Sequence, residues 1–554
     1  MVRRPCRAQH LIAWLLEMRR SPGIAAALAT LTTLLGARAA RADDASSAAT
    51  HGTCSGASAP ARAPAPSGPS PVAHLSGDAG AYAPELGVPL GHDCMRLEFP
   101  LLLAGRVEGV SSFPVDRYGN TFGGPSASPV LRLGSRFTSG QAWGRFGLLA
   151  EAEADVPTGT VAPTPSVDGQ GFPGSEGLAA ELRKLHARAS YANLVHLDVG
   201  AQTNHFGMGL LTNDGAHGWE PGSAQFVDPR SGNRVLRAEL STGPLTSADV
   251  VVAVGADRVL GDFLLLPGDT ARQMFAALLV GVGDPSSAGA YLLRRHQENA
   301  AGAATDVTAI DVTARVTGEL PGASVGVETE WALIDGTTAL GATVDHPTHD
   351  VLELGGVARA WLDAGAFGTV IDFLYASGDQ NPYDGTENGF RVDPNYPFGL
   401  LLFRQVVAAQ SARTAGTASD LQLVGVPPAG VDRLPTRGSV TNTVAFFPKL
   451  RVRPLAGLEA YGGPLFAFTN VPQVDVFTTD IAGGAQRSSL GGLAGRTLGT
   501  ELDVGVRYRA LVRQSELTAG LEGGMLLPGS AFLDTHETPM GPVYGGRAMV
   551  QYRF

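Results

Sequence analysis

The sequence contains few cysteines, few charged residues and, beyond residue 42, no long apolar run. A helical membrane protein needs several apolar runs of about 20 residues, so their absence excludes that class. A general nucleic-acid binder needs a basic tract, whereas this chain has a formal net charge of -11 and no such tract. Neither H-E-x-x-H nor the phosphate-binding G-x-x-x-x-G-K-[ST] occurs, so these motifs predict no enzyme and no cofactor.

The first 93 residues are typical of an exported chain. A basic pair, an apolar stretch and small residues with an A-x-A match predict a signal peptide at 1–42, with Met18 as an alternative start. Residues 43–93, rich in Ala, Ser, Pro and Gly, are predicted to form a flexible periplasmic tail. After removal of the signal, Cys54 and Cys94 remain, and they either form a disulfide or stay as free thiols.

Residues 94–554 show the alternation of β-strands. The last eleven residues, YGGRAMVQYRF, put Tyr552 and Phe554 on one face with other apolar residues, and Arg547 and Arg553 on the opposite face. A strand that crosses a bilayer at a tilt needs about ten residues, whereas strands in soluble proteins usually have five or six. Several segments of this chain keep their alternation for ten residues or more. The length therefore favours an all-β transmembrane barrel over an ordinary soluble sheet.

The connections between these strands alternate between short and long. Tight turns are predicted near 139–140, 192–193, 243–244, 285–286, 321–322, 364–365, 454–455 and 513–514. Longer polar segments are predicted near 106–128, 156–181, 207–232, 256–272, 298–306, 335–348, 377–440, 470–496 and 528–540. Outer-membrane barrels have short periplasmic turns and longer outer loops.

This alternation predicts an antiparallel barrel of about 18 strands, with 16 as the alternative and both termini periplasmic. Residues 377–440 then form one long outer loop, which narrows the pore in one interpretation and stays outside it in the other. Within this loop, the apolar stretch Leu400–Gln410 has roughly helical spacing, so we expect a helix or a folded-in segment and not a strand.

Parts of the chain resemble a known family. The segments FFPKLRVRPLAGLEAYGGPLFAF, HFGMGLLTNDG and VIDFLYASGDQNPYDGTENGF resemble alginate-export-type bacterial outer-membrane barrels. The resemblance implies an 18-stranded barrel whose best-known relatives pass an anionic polysaccharide through an arginine-rich lumen. The C-terminal strand, with Tyr552 and Phe554, also resembles the signal by which the barrel-assembly machinery recognises such proteins. The implied location is the bacterial outer membrane, with membrane lipid as a partner.

The face of each strand opposite the lipid lines the lumen, and many of its residues are basic. Arginine suits an anionic solute because its planar fork donates two parallel hydrogen bonds to a carboxylate. Lys449, Arg451 and Arg453 form the strongest candidate track, because no acid lies between them on their strand. The predicted lumen track comprises Arg132, Arg136, Arg145, Arg188, Arg315, Arg359, Lys449, Arg451, Arg453, Arg507 and Arg509. The alternative is that these cations only pair with inward acids across the strands.

Two further candidate sites lie in loops. Asp379, Asn381 and Asp384 offer oxygen ligands for calcium, although loops of this composition are usually plain turns. His205, Asp214 and His217 raise the alternative of a hydrolase at the barrel rim.

The function predicted from the sequence is a passive outer-membrane channel for anionic or polar solutes, with a polysaccharide as one candidate. The alternative is a non-conducting barrel that is plugged by its own loops and acts as a surface structural or binding protein.

Overall fold

The computed structural model describes most of the chain from residue 87 onwards. The described residues are 87–89, 95–139, 143–160, 177–192, 194–215, 232–282, 284–341, 343, 345–419, 433–436, 438–512 and 515–554. The predicted signal peptide, most of the predicted tail, Cys54 and Cys94 lie outside them. Inside the predicted tail, Gly87–Pro89 forms a short strand that pairs with Arg96–Glu98. Among the described residues, no helix is long and apolar enough to cross a membrane.

Eighteen long antiparallel strands form a closed barrel, as the sequence predicts. They are β1 Leu101–Pro114, β2 Thr121–Thr138, β3 Phe146–Thr160, β4 Gly177–Tyr191, β5 Val195–Thr203, β6 Arg234–Leu245, β7 Val250–Gly261, β8 Thr270–Val280, β9 Ser287–Glu298, β10 Ala304–Leu320, β11 Ala323–Thr338, β12 His349–Ala364, β13 Phe367–Ala376, β14 Thr443–Leu455, β15 Leu458–Phe468, β16 Thr497–Val512, β17 Ser515–Pro528 and β18 Val543–Arg553. Each strand pairs with its neighbours in the chain. A short strand, Thr386–Glu387, adds parallel to β12.

The barrel closes between its last and first strands. β18 pairs with β1 in antiparallel register, with Arg547 opposite Glu108 and Tyr552 opposite Leu103. Next to this pairing, the backbone of Phe554 exchanges two 2.9 Å hydrogen bonds with that of Leu101. Closure matters because an unpaired strand edge in lipid leaves backbone groups without hydrogen bonds, at a cost of several kcal/mol each.

The connections define two ends of the barrel. At one end, which we call the short-turn end, successive strands are separated by two to seven residues. At the other, the long-loop end, the largest connections are 204–233, 377–442 and 469–496. The predicted polar segment at 106–128 was wrong, because β1 and β2 extend through most of it and leave only residues 115–120 between them. Glycine, serine and proline occupy both faces of these strand ends, so the sequence shows no apolar alternation there.

The apolar segment inside the long loop is helical, as predicted. Leu402–Val407 forms a π-helical turn that continues into an α-helix, α1, at Ala408–Ser419. A second short helix, α2, spans Val476–Ile481, and the side chain of Asp475 caps its N-terminus by accepting a hydrogen bond from the Thr478 N–H. The side chains of Leu402, Phe403 and Val406 are almost completely buried. This helix therefore belongs to the packed interior.

Candidate functional site: the barrel lumen

The two faces of the barrel wall differ sharply in chemistry. On β16, the exposed positions include Leu502 and Val504, whereas the buried positions include Glu501, Asp503 and Arg507. A soluble protein places these residue types the other way round. Along the strands, the exposed positions carry mostly Leu, Val, Ile and aromatic side chains, and the buried positions carry many charged ones. The outer surface is therefore matched to lipid, and the inner surface to water and polar groups.

Outward aromatic residues cluster near both ends of the strands. Phe146, Tyr191 and Phe367 lie at the short-turn end, and Phe468 and Tyr544 lie at the long-loop end. Aromatic girdles at both membrane interfaces, an apolar outer band and an even number of antiparallel strands are the architecture of bacterial outer-membrane barrels. The protein is an outer-membrane β-barrel.

The predicted basic track lies on the inner face, with one exception. Arg132, Arg188, Arg359, Lys449, Arg451 and Arg507 are buried in the wall, and Arg136, Arg315, Arg453 and Arg509 are partly buried. Arg145 differs, because it lies in the turn before β3 and is exposed. It is therefore not part of the inward row that the sequence predicts. The basic residues concentrate within a few residues of the short turns.

Acids on neighbouring strands contact these cations. Lys449 hydrogen-bonds Asp372 of β13, and Arg359 of β12 binds the same carboxylate at 2.7 Å. Arg451 and Arg453 both contact Asp363 of β12, the latter at 2.7 Å. The sequence shows no acid between the cations of β14 because the acids come from other strands. Cations thus pair with acids across the strands, as the alternative interpretation of these charges expects.

The contacts form two groups of mixed charge, one around Asp372 and Glu328 and the other around Asp363 and Glu459. Glu328 joins Arg315 at 3.6 Å to Arg359 at 3.3 Å, and Glu459 binds Arg507 at 2.6 Å and lies 4.0 Å from Arg451. Among the described residues, the ion pairs named here link six cationic side chains to four carboxylates. Arg315, Arg453 and Arg509 keep side-chain exposures of 39%, 35% and 31%. These three guanidinium groups are partly open to water.

Two segments of chain pack against the inner wall. The first inner segment, residues 204–215, follows β5, and its Phe206 stacks on the inward ring of Tyr291 with 5.1 Å between centroids. The second inner segment, residues 390–419, includes α1, and its Leu401 fits against wall glycines Gly524 and Gly545, where a Cβ would collide with it or press against it. Together with wall residues and the loops at the long-loop end, they form the main apolar core.

A buried aspartate ties the two inner segments together. The Asp393 N–H donates to the Leu210 carbonyl at 2.9 Å, and the Asp393 carboxyl accepts from the Asn233 side chain at 2.9 Å. Asn233 in turn pairs through its backbone with Asn213 and Asn204. Burial raises the pKa of Asp393 to about 8, against the opposing effect of its hydrogen bonds.

A second contact holds the second inner segment at the long-loop end of the barrel. The Arg413 side chain in α1 binds the Asp116 carboxylate at 2.7 Å, in the connection between β1 and β2. Burial alone would raise the pKa of Asp116, but hydrogen bonds from Asn120 and Arg413 outweigh it and lower that pKa. The second inner segment is thus fixed to a neighbouring connection by a charged contact.

The predicted calcium ligands are used by their own loop. Asp379 accepts the Asn381 N–H at 2.8 Å, and Asp384 accepts the Thr386 N–H at 2.9 Å. Among the described residues, no group of three His, Cys, Asp or Glu side chains is placed to hold a metal ion. Calcium binding at these residues stays a prediction.

A cavity of about 140 Å³ lies beside this loop, lined by Asp379, Arg391, Gln410, Thr414 and Asp475 among other residues. It separates the loop that carries the predicted ligands from α1 and from the start of α2.

Two residues of the hydrolase alternative, His205 and Asp214, lie inside the first inner segment, and His217 lies outside the described residues. The His205 Nδ1 is 3.8 Å from the Asp214 Oδ1, and both side chains are buried. Their position is therefore in the packed interior and not at an open rim. The sequence does contain a G-x-S-x-G match at 322–326, but it crosses a short turn into β11. A nucleophile elbow requires a strand followed by a helix, so this match does not form one.

Comparisons with known proteins found similar barrels among solved structures. No protein-family model matches the sequence, and no curated protein matches it either. Three similar structures come from Pseudomonas aeruginosa. OpdQ has a TM-score of 0.47 at 12% identity and covers 83% of this chain and 98% of its own. OccK2 (OpdF) in complex with glucuronate has a TM-score of 0.46 at 11% identity, with coverages of 83% and 98%. The outer membrane protein OpdK has 0.45 at 10%, with coverages of 82% and 99%.

Proposed function

We propose that this barrel is a passive channel for anionic or polar solutes, with its long loops outside the cell and both termini in the periplasm. The observation that carries the proposal is the inward basic network near the short-turn end. Three partly exposed cations in this region, Arg315, Arg453 and Arg509, present guanidinium groups to the water of the lumen. A passing carboxylate or phosphate can accept paired hydrogen bonds from such groups without the protein opening a buried ion pair.

The paired acids fit the same role. A wall of unpaired arginines would hold an anion too strongly for it to leave, and conduction requires binding that is weak enough for exit. Asp363 and Glu459 compensate part of the positive charge around Arg451, Arg453 and Arg507. The network therefore offers several weak sites in place of one deep site.

The finer proposals extend the sequence resemblance. An anionic polysaccharide is the candidate cargo that the alginate-export resemblance implies, and it requires a path wide enough for a chain of sugars. The barrel-assembly machinery is the proposed partner of the C-terminal strand, where Phe554 is exposed and Tyr552 lies half-buried.

The test is the reversal potential of the refolded protein in a planar bilayer of neutral lipid under a salt gradient. The wild-type protein is expected to prefer anions. The triple variant Arg315→Gln, Arg453→Gln, Arg509→Gln is expected to lose most of that preference, because it removes the three water-accessible cations. Sodium glucuronate can replace the chloride salt as a larger carboxylate probe.

A matched control removes the same number of arginines from the other side of the wall. Arg258, Arg272 and Arg294 lie on β7, β8 and β9 at exposed positions of the outer face. Replacing all three with glutamine should leave the ion preference unchanged. Equal losses in both triple variants would contradict a role for the inward set.

The plugged, non-conducting barrel is the second candidate function. It is favoured by the apolar core that the inner segments form at the long-loop end, including Phe390, Phe398 and Phe403. A bilayer that stays closed with correctly folded wild-type protein would support this candidate.

A further inference from the structure

Two glutamates on the wall hold the backbones of the two inner segments. Glu501 of β16 accepts hydrogen bonds from three consecutive amides, those of Leu400, Leu401 and Leu402, at 2.6, 2.9 and 2.7 Å. Glu330 of β11 does the same for the first inner segment. It accepts from the Met208 N–H, and from the amides of Leu210 and Leu211 at 3.1 and 3.4 Å.

The two sites share a local sequence that explains this geometry. Each contains Phe-Gly followed closely by paired leucines, at Phe206-Gly207 and at Phe398-Gly399. Both glycines have left-handed backbone, with φ of +58° and +70°. A Cβ on Gly207 would lie 2.6 Å from a Glu330 oxygen, and one on Gly399 would lie 3.2 Å from a Glu501 oxygen. Glycine therefore turns the chain and lets the carboxylate approach the amides that follow.

These glutamates differ from the other inward acids in their partners. Among the described residues, neither Glu330 nor Glu501 has a cation within ion-pair distance, whereas Asp372 has two and Glu522 has Arg547. Each glutamate instead lies beside a second acid on the wall, Asp311 or Asp503.

Among the described residues, the backbone amides of Leu400, Leu401 and Leu402 donate to Glu501 and to no backbone carbonyl. They lie at the start of the helical stretch from Leu402, where the first N–H groups lack intrahelical acceptors. The segment is buried among apolar side chains, so water cannot replace the carboxylate cheaply. A buried donor that loses its acceptor bears the full cost of its lost hydration.

We propose that Glu330 and Glu501 are positioning residues that latch the two inner segments across the lumen, and that releasing either latch widens the solute path. This inference rests on the proposed channel function for its second part only. The latch itself is a statement about the backbone amides and can be measured without any current.

The experiment compares Glu330→Gln, Glu501→Gln and the double variant with Glu522→Gln as a matched control. Glutamine keeps the size of the side chain, but it has one acceptor oxygen and points an N–H₂ group at the remaining amides. Glu522 is also an inward carboxylate, but it contacts Arg547 at 2.5 Å and Tyr461, both on the wall. Its replacement removes the same charge and leaves both inner segments in place.

Two readouts separate the latch from the channel. Hydrogen exchange measured by mass spectrometry should become faster by about tenfold or more at residues 400–402 in Glu501→Gln, and at 208–211 in Glu330→Gln. Single-channel conductance should rise in each variant and rise most in the double variant. If no protein conducts while the amides respond, the latch is supported and the channel function fails. If exchange matches that of Glu522→Gln, the latch is overturned whatever the current.

A milder variant covers the case in which a glutamine variant does not fold. Glu501→Asp keeps the charge but withdraws the carboxylate by one methylene, so the same amides should exchange faster by a smaller factor. Unchanged exchange in a folded Glu501→Asp protein would also overturn the latch.

Discussion

The two ends of the lumen are lined in different ways by one continuous wall. Near the short turns, the lining that the structure describes consists of strand side chains, and Arg453 and Arg509 remain about one-third exposed. Near the long loops, Phe398 and Phe403 of the second inner segment are almost fully buried, and Phe398 packs against Phe447 of the wall. The first end is suited to attract and select ions, and the second to restrict their passage. In the proposed channel, charge selection and restriction thus belong to different parts of the chain.

The inward acids also fall into two groups, according to what they contact. Asp363 and Asp372 neutralise cations, so their loss would change the charge of the wall. Glu330 and Glu501 hold backbone amides, so their loss would change where the inner segments lie. Similar carboxylates in one lumen therefore have two different physical roles, and the partner decides which role applies.

The largest expected contrast between the two ends is their access from outside the cell. Cysteines placed at Ala301, in a turn at the long-loop end, and at Pro321, in a turn at the short-turn end, both occupy exposed positions. With the other cysteines replaced by serine, a membrane-impermeant maleimide should label Ala301→Cys on intact cells and leave Pro321→Cys unlabelled. Both should react after lysis. Labelling of Pro321→Cys on intact cells would reverse the proposed orientation.

The next contrast comes from emptying the long-loop end. Replacing residues 400–418 with a short Gly-Ser linker removes the helical part of the second inner segment and leaves all strand pairs of the barrel intact. An empty barrel of about this size encloses a water-filled opening, so single-channel conductance should rise several-fold. The ion preference should change much less, because the basic network near the short turns is retained. Circular dichroism serves as the control for strand content, and an unchanged conductance would show that the segment does not restrict the path.

The short-turn end is the part that the sequence predicts best. Period-two alternation identifies strands such as β16 and β18, and with them the inward direction of Arg507 and Arg509. At the long-loop end, alternation fails for the β1–β2 connection, where small residues occupy both faces and only the pairing with neighbouring strands sets the strand length. Arg145 was misplaced for a related reason, because alternation does not mark the residue at which a strand begins.

The long-loop end is predicted only in outline. The helical spacing around Leu400–Gln410 reveals a folded-in helix, but not what holds it. Glu501 lies about one hundred residues along the chain from the amides that donate hydrogen bonds to it. This contact depends on the left-handed turn at Gly399. Acid partners such as Asp363 for Arg453 are equally distant in sequence. These contacts follow from barrel register and loop path, neither of which is visible in local periodicity.

The smallest expected effect is a pH dependence at the long-loop end alone. The Asp393 carboxyl has a pKa of about 8 where it is buried between the inner segments, whereas its ordinary value is 3.8. The folded-in arrangement therefore binds more protons than a released one, so its stability is complete below about pH 4 and decreases as the pH rises towards 8. The carboxylate of Asp262 contributes in the same direction, since its negative charge also disfavours ionisation of Asp393.

Conductance should accordingly increase between pH 4 and 8, by less than the deletion of residues 400–418 produces. Asp393→Asn removes the titrating group and keeps an acceptor for the Asn395 N–H, so the increase should become smaller in this variant. The carboxyl pairs at Glu330 and Glu501 remain in both proteins, and the difference between the two pH profiles isolates Asp393. Because the arginines near the short turns stay charged throughout this range, the anion preference should not follow the same profile. Identical profiles for the wild-type and Asp393→Asn proteins would show that the tie between the inner segments does not depend on this proton.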